Sequence, residues 1–155
     1  MSARERATRR AATDYACRLA VAAPAARLLA ALTTREGLRG WWTPRVSGRG
    51  DAGGELRFAF DGVDETIRMR VVRAEPSGVT WTCLEHSGLP DWRGTHLDFA
   101  IRAGDENSCT LDFCHRGLTP AFDCYEDCAL GWSHFLASLL AYVERGRGAP
   151  FGSEP

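Results

Sequence analysis

Successive segments of this chain alternate apolar and polar residues, and a period of two admits few folds. Leu56, Phe58 and Phe60 share one side of a segment, and Ile67, Met69 and Val71 share one side of the next. Val79, Trp81 and Cys83 follow, then Leu97, Phe99 and Ile101, then Cys109, Leu111, Phe113 and His115. Alternation repeated in this way requires an antiparallel sheet with one covered face. The cover comes next in the chain. Residues 122–145 are patterned as one long helix, with Tyr125, Cys128, Trp132, Phe135, Leu136, Leu139 and Val143 on a single stripe. A curved sheet gripping one helix leaves a cavity between them, and His115 is in phase with the side that faces it.

The remaining elements follow from local signals. Tyr15, Cys17, Leu19 and Val21 alternate and predict a first strand over 14–22. Pro24 suits a helix start, Leu28, Leu29 and Leu32 give that helix an apolar stripe, and Thr33 or Thr34 can cap a second short helix over 35–39. A Gly-rich loop over 47–54 leads into strands at 54–60, 64–74, 79–86, 94–103 and 107–116. Asp61-Gly62, Pro76-Ser77-Gly78 and Gly104-Asp105-Glu106 supply tight turns between them. The order is β-αα-β-β-β-β-β-α, an α+β fold. Residues 1–12 read as a disordered tail by composition, 13–146 as a single domain and 147–155 as a C-terminal tail.

Composition removes several function classes. A net charge of −1 gives no field for nucleic acid or an anionic membrane. All 19 basic residues are arginine, so no lysine Schiff base, pyridoxal phosphate anchor or phosphate-loop lysine can form. No run of about 18 apolar residues exists to span a membrane, and nothing near the start reads as a signal peptide. A cytoplasmic protein with six reduced cysteines is therefore expected. Cys124 and Cys128 lie four apart at a helix start, but the C-x-x-C pairs of structural zinc sites are absent. No metal and no cofactor is expected.

Specific motifs extend this reading. They are Leu32-Thr33-Thr34-Arg35-Glu36-Gly37-Leu38-Arg39-Gly40-Trp41-Trp42, Gly54-Glu55-Leu56-Arg57-Phe58 and Val79-Thr80-Trp81. Asp91-Trp92-Arg93-Gly94-Thr95, Phe113-Cys114-His115-Arg116-Gly117-Leu118 and Gly131-Trp132 complete them. Over about residues 14–146 the chain resembles the START-like, birch-pollen-allergen-like helix-grip superfamily (SRPBCC). Within it, the chain looks like the group homologous to the activator of the heat-shock-protein-90 ATPase. The resemblance implies the helix-grip fold and a range of roles: small-ligand binding, polyketide cyclase-like chemistry or a chaperone-associated interaction module.

Phase along the strands places the candidate site residues. Glu85 is in phase with Val79, Trp81 and Cys83, Thr95 with Leu97 and Phe99, and His115 with Leu111 and Phe113. Glu85, Thr95 and His115 are thus expected at one end of one face, with Glu65 joining from the far side and His86 and His96 out of phase with it. Such a set would serve as an acid–base pair, His115 with Glu85 as its orienter, as a ligand-orienting group, or as a structural network closing the end of the sheet. Trp41, Trp42, Trp81, Trp92, Thr95, His115, Tyr125, Cys128 and Trp132 are the candidates for lining a cavity that takes a small hydrophobic or aromatic molecule. The partner expected is that molecule, with the protein acting as a monomer or homodimer.

Overall fold

The computed structural model describes residues 14–153, so the tail expected at 1–12 lies outside the described residues. Seven strands form one antiparallel sheet: β1 (Tyr15–Val21), β2 (Arg45–Gly48), β3 (Glu55–Phe60), β4 (Val63–Glu75), β5 (Gly78–His86), β6 (His96–Ala103) and β7 (Cys109–Arg116). The helices are α1 (Ala25–Thr33), α2 (Arg35–Trp41) and α3 (Tyr125–Arg145), with a 3-10 turn at Pro90–Trp92. The spatial order is β1-β7-β6-β5-β4-β3-β2, so each strand from β2 to β7 pairs with its chain neighbour. β1 closes the far edge against β7, with Tyr15 opposite His115 and Val21 opposite Cys109.

The alternation translates directly into burial. Leu56, Phe58, Met69, Val71, Val79, Trp81, Leu97, Phe99, Leu111 and Phe113 are all buried on the inner face. α3 lays Cys128, Trp132, Leu136, Leu139 and Val143 against them. Removing one aromatic side chain of this core from water is worth on the order of 4 to 6 kcal/mol before conformational entropy is charged against it.

Two short elements set the rim. Thr34 is both the end of α1 and the cap of α2. Its N–H donates to the Ala30 carbonyl (3.1 Å), and its hydroxyl accepts from the Gly37 N–H (3.0 Å). α2 then delivers Trp41 and Trp42 to the core, where Gly40 leaves room for the Tyr142 ring of α3. Strand β2 is an addition to the sequence reading. Only Val46 of its four residues is buried, and one apolar residue makes no alternation.

The segment after α3, expected as a tail, folds back onto the body. Gly146 ends the helix at φ +82, a left-handed value that favours glycine. The Ala149 N–H donates to Ser138 Oγ (2.7 Å) and the Phe151 N–H to the Trp42 carbonyl (2.6 Å). The outer face of the sheet is solvated, with Arg18 paired to Asp112 and Arg116 to Asp98. None of the described helices is long and apolar enough to cross a membrane.

Candidate functional site

A single inserted residue decides which side chains reach the site. Ile67 opposes His86, Arg68 opposes Glu85, and Met69 opposes Cys83, which leaves Leu84 as a bulge in β5. A bulge shifts the phase of everything beyond it by one. His86, read from sequence as out of phase, is turned inward and buried. Glu85, read as inward, is exposed and faces Arg68 at 3.9 Å on the outer side. The expected partnership of Glu85 with His115 is therefore corrected: the two lie on opposite faces of the sheet.

His115 is fully buried and its hydrogen bonds are fixed by its neighbours. The indole N–H of Trp132 can only donate, and it donates to His115 Nδ1 (3.0 Å). The proton of the neutral ring then sits on Nε2 and is given to Thr95 Oγ1 (2.9 Å). The Thr95 hydroxyl passes its own proton to the Trp92 carbonyl (2.6 Å). Burial, with smaller contributions from His86 and His96, pushes the His115 pKa down to about 3. The ring is neutral at physiological pH and both nitrogens are engaged. Trp92 stands edge-on to it at 4.6 Å and lies parallel to Trp132 at 6.0 Å. His115 thus sits behind these two tryptophans and fixes their planes.

In front of them, a cavity of about 290 Å³ opens between the sheet and the first half of α3. Trp42, Trp92, Trp132, Phe60, Phe135 and Phe151 make its aromatic walls, with Ile67, Leu89, Cys124 and Cys128 between them. Of the residues singled out from sequence, Trp42, Trp92, Cys128 and Trp132 line it. Trp41, Trp81, Thr95, His115 and Tyr125 do not. Trp41 is held inside by its N–H donating to the Ala31 carbonyl (2.8 Å) and stacks on Trp42. Trp81 lies parallel to Trp42 at 6.1 Å, with its indole N–H lacking a partner.

Polar groups in the lining are few. His86 Nδ1 accepts from the Gly88 N–H (3.2 Å) and the Leu89 N–H (2.9 Å), which leaves its proton on Nε2. Burial pushes its pKa down to about 4. Glu65 and Asp127 complete the polar part of the wall. Gly131 is a further feature of the lining: a Cβ built there meets nothing within 4 Å.

Sequence reasoning missed His86, because a bulge leaves no mark in an alternation. It missed Phe151, a lone aromatic in a Gly- and Pro-rich stretch. Among the described residues, no group of three or more His, Cys, Asp or Glu side chains is placed to hold a metal ion.

No family model and no curated protein matches the chain. Solved structures do. The Aha1 dimer from Colwellia psychrerythraea is 30% identical with a TM-score of 0.75, over 87% of this chain and 98% of that one. CalU16 from Micromonospora echinospora is 20% identical with a TM-score of 0.65, over 92% of this chain and 69% of that one. Protein MLL2253 from Mesorhizobium loti is 18% identical with a TM-score of 0.69, over 84% and 98%.

Proposed function

This chain belongs to the Aha1-related group of the START-like helix-grip superfamily, and we propose that it binds a small hydrophobic or aromatic molecule in the cavity between sheet and C-terminal helix. The observation that carries the reading is the void itself. In a molecule whose core is otherwise filled by stacked aromatics, a space of about 290 Å³ is walled by Trp42, Trp92 and Trp132. Gly131 lies in its wall, and a Cβ there would meet no neighbouring atom within 4 Å. A glycine inside a helix costs about 0.5–1 kcal/mol relative to alanine. No neighbour's bulk demands that cost here. The volume is at the small end for ligand pockets, which suits a molecule of one or two rings. His86 Nε2–H, Glu65 and Asp127 are the groups available to orient it.

The acid–base alternative draws no support from the geometry. His115 is neutral and saturated, and Glu85 faces solvent. The interaction-module alternative would need a contiguous apolar patch. The large exposed apolar residues among those described are Val63 and Val72, nine residues apart on β4, and Leu130 on α3. On this reading the protein works in the cytoplasm, as a monomer or as a homodimer of the kind its Colwellia relative forms.

The test is titration with N-phenyl-1-naphthylamine, a neutral fluorescent probe, alongside native mass spectrometry of the purified protein for a co-purifying molecule. Probe binding is expected to be lost in Gly131→Leu, with an unchanged circular dichroism spectrum and a raised melting temperature. Undiminished binding by Gly131→Leu, or a wild-type protein that binds neither probe nor co-purifying molecule, would refute the proposal.

A further inference from the structure

Two thiols meet at the lip of the cavity. Cys124 caps the N-terminus of α3, and Cys128 lies one turn further on. The Cys128 N–H donates to the Cys124 carbonyl (2.7 Å) and closes that turn. The two sulfurs are 2.8 Å apart, inside van der Waals contact, with the Cys128 S–H donating to Cys124 Sγ. The Trp92 indole N–H donates to Cys128 Sγ in turn (3.4 Å). Both cysteines are free.

The direction of these bonds separates the sulfurs. Cys124 is half-buried, lines the cavity, accepts a hydrogen bond and sits at the positive end of a 21-residue helix. Cys128 is buried, and its thiol is held protonated, pushed up to about 12 by burial and by the bond to Cys124. One sulfur is placed to attack and the other to resolve. Their union needs a small shift of the first turn. Residues four apart on a helix have Cα atoms about 6 Å apart, within the roughly 4.4–6.8 Å that a disulfide spans. Their Cβ atoms, however, are about 5–6 Å apart, beyond the roughly 3.5–4.5 Å it needs. Closure therefore draws in the cap residue Cys124, whose backbone (φ −83, ψ 1) already lies outside the helix.

We propose that Cys124 and Cys128 form a peroxide-oxidisable dithiol that closes reversibly into a disulfide at the cavity lip. The Cys124 thiolate attacks hydrogen peroxide or an organic hydroperoxide, and the O–O bond breaks. One oxygen stays on sulfur as the sulfenic acid, and the other leaves as water or alcohol once protonated. The Cys128 sulfur then displaces the sulfenic oxygen, the S–S bond forms, and the Cys128 proton leaves with that oxygen as water. The two thiols lose two electrons, and the peroxide takes them up. The product staples the first turn of α3 beside Trp92. The proposal stands whether or not the cavity takes a ligand.

Cleavage at arginine isolates these two cysteines in peptide 117–145 and places Cys109 and Cys114 in peptide 103–116, an internal reference. With limiting hydrogen peroxide on the folded protein, peptide 117–145 is expected to lose two hydrogens and resist alkylation. It should do so on the order of tenfold faster than the reference peptide is oxidised, and dithiothreitol should reverse the change. Cys128→Ser should stop at a sulfenic acid trapped by dimedone, and Cys124→Ser should leave the peptide unoxidised at the same dose. Oxidation of Cys124 straight to sulfinic acid in the wild type, a disulfide only between chains, or oxidation no faster than in peptide 103–116 would each overturn the proposal.

Discussion

At the scale of single residues, the site is governed by two neutral histidines. Both have folded-state pKa values below the ordinary 6.5, about 3 for His115 and about 4 for His86, each chiefly through burial. Above pH 6.5 neither state of the chain binds the proton, so stability is independent of these groups. As pH falls from 6.5 toward 3, the unfolded chain takes up protons that the folded chain refuses, and stability is lost through that window. His115→Phe cannot titrate, but it leaves the Trp132 N–H without an acceptor and the Thr95 hydroxyl with only its bond to the Trp92 carbonyl. That variant is expected to be about 1–3 kcal/mol less stable than wild type at neutral pH. The gap should narrow steadily below pH 6.5, because the wild type alone pays the His115 term. Urea unfolding at a series of pH values checks this, and parallel curves for the two proteins would contradict the assignment of a buried neutral ring.

At the scale of elements, the bulge in β5 does the work that the strand's own pattern could not. Leu84 sits unopposed between the Arg68–Glu85 and Met69–Cys83 pairs, and so the imidazole, not the carboxylate, faces the core. Deleting Leu84 would leave Glu85 directly after Cys83, still outward opposite Arg68, with His86 still inward opposite Ile67, so the test of the phase is made at residues 85 and 86 themselves. His86→Glu puts a carboxylate on the inner side, where no arginine among the described residues lines the cavity, and is expected to destabilise the fold by about 3–5 kcal/mol, measured by urea unfolding. Glu85→His puts an imidazole on the outer, solvated side and should cost far less. If the two variants were equally stable, the bulge would not be what turns residue 86 inward and residue 85 outward.

At the scale of the whole molecule, the cavity is closed by parts of the chain far apart in sequence. Trp42 arrives from α2, Phe60 and Ile67 from β3 and β4, Trp92 from the 3-10 turn and Trp132 from α3. The last wall comes from beyond α3, where Phe151 stands edge-on to Phe60 at 5.1 Å. Ending the chain at Arg147 removes that ring and the hydrogen bonds from residues 149 and 151 to Ser138 and Trp42. The truncated protein is expected to keep its fold, to lose about 1–3 kcal/mol, and to show red-shifted tryptophan emission as Trp42 gains access to water. Unchanged emission would mean that the segment is not part of the cavity wall.

What the sequence by itself determined is whatever depends on neighbours along the chain. Period-two alternation specified β3 through β7 and their inner faces, because successive side chains of a strand must point to opposite sides. Thr34 and the Gly- and Pro-containing turns placed the short helices and the hairpins, because caps and turns are local chemistry. The stripe from Cys128 to Val143 fixed the face that α3 buries. The Thr95–His115 contact followed from phase and pairing alone. Tertiary structure decided the rest. β1 pairs with β7 across nearly the whole chain, a choice made by closing the sheet edge and not by any feature of Tyr15–Val21. The Leu84 bulge exchanged His86 for Glu85, since a register shift is settled by the partner strand. Phe151 became a wall only because Trp42 and Ser138 offered hydrogen bonds to the backbone beside it. Alternation can tell which side chains face inward. Where the interior stays empty depends on how sheet and helix meet, and that is not written in any one segment.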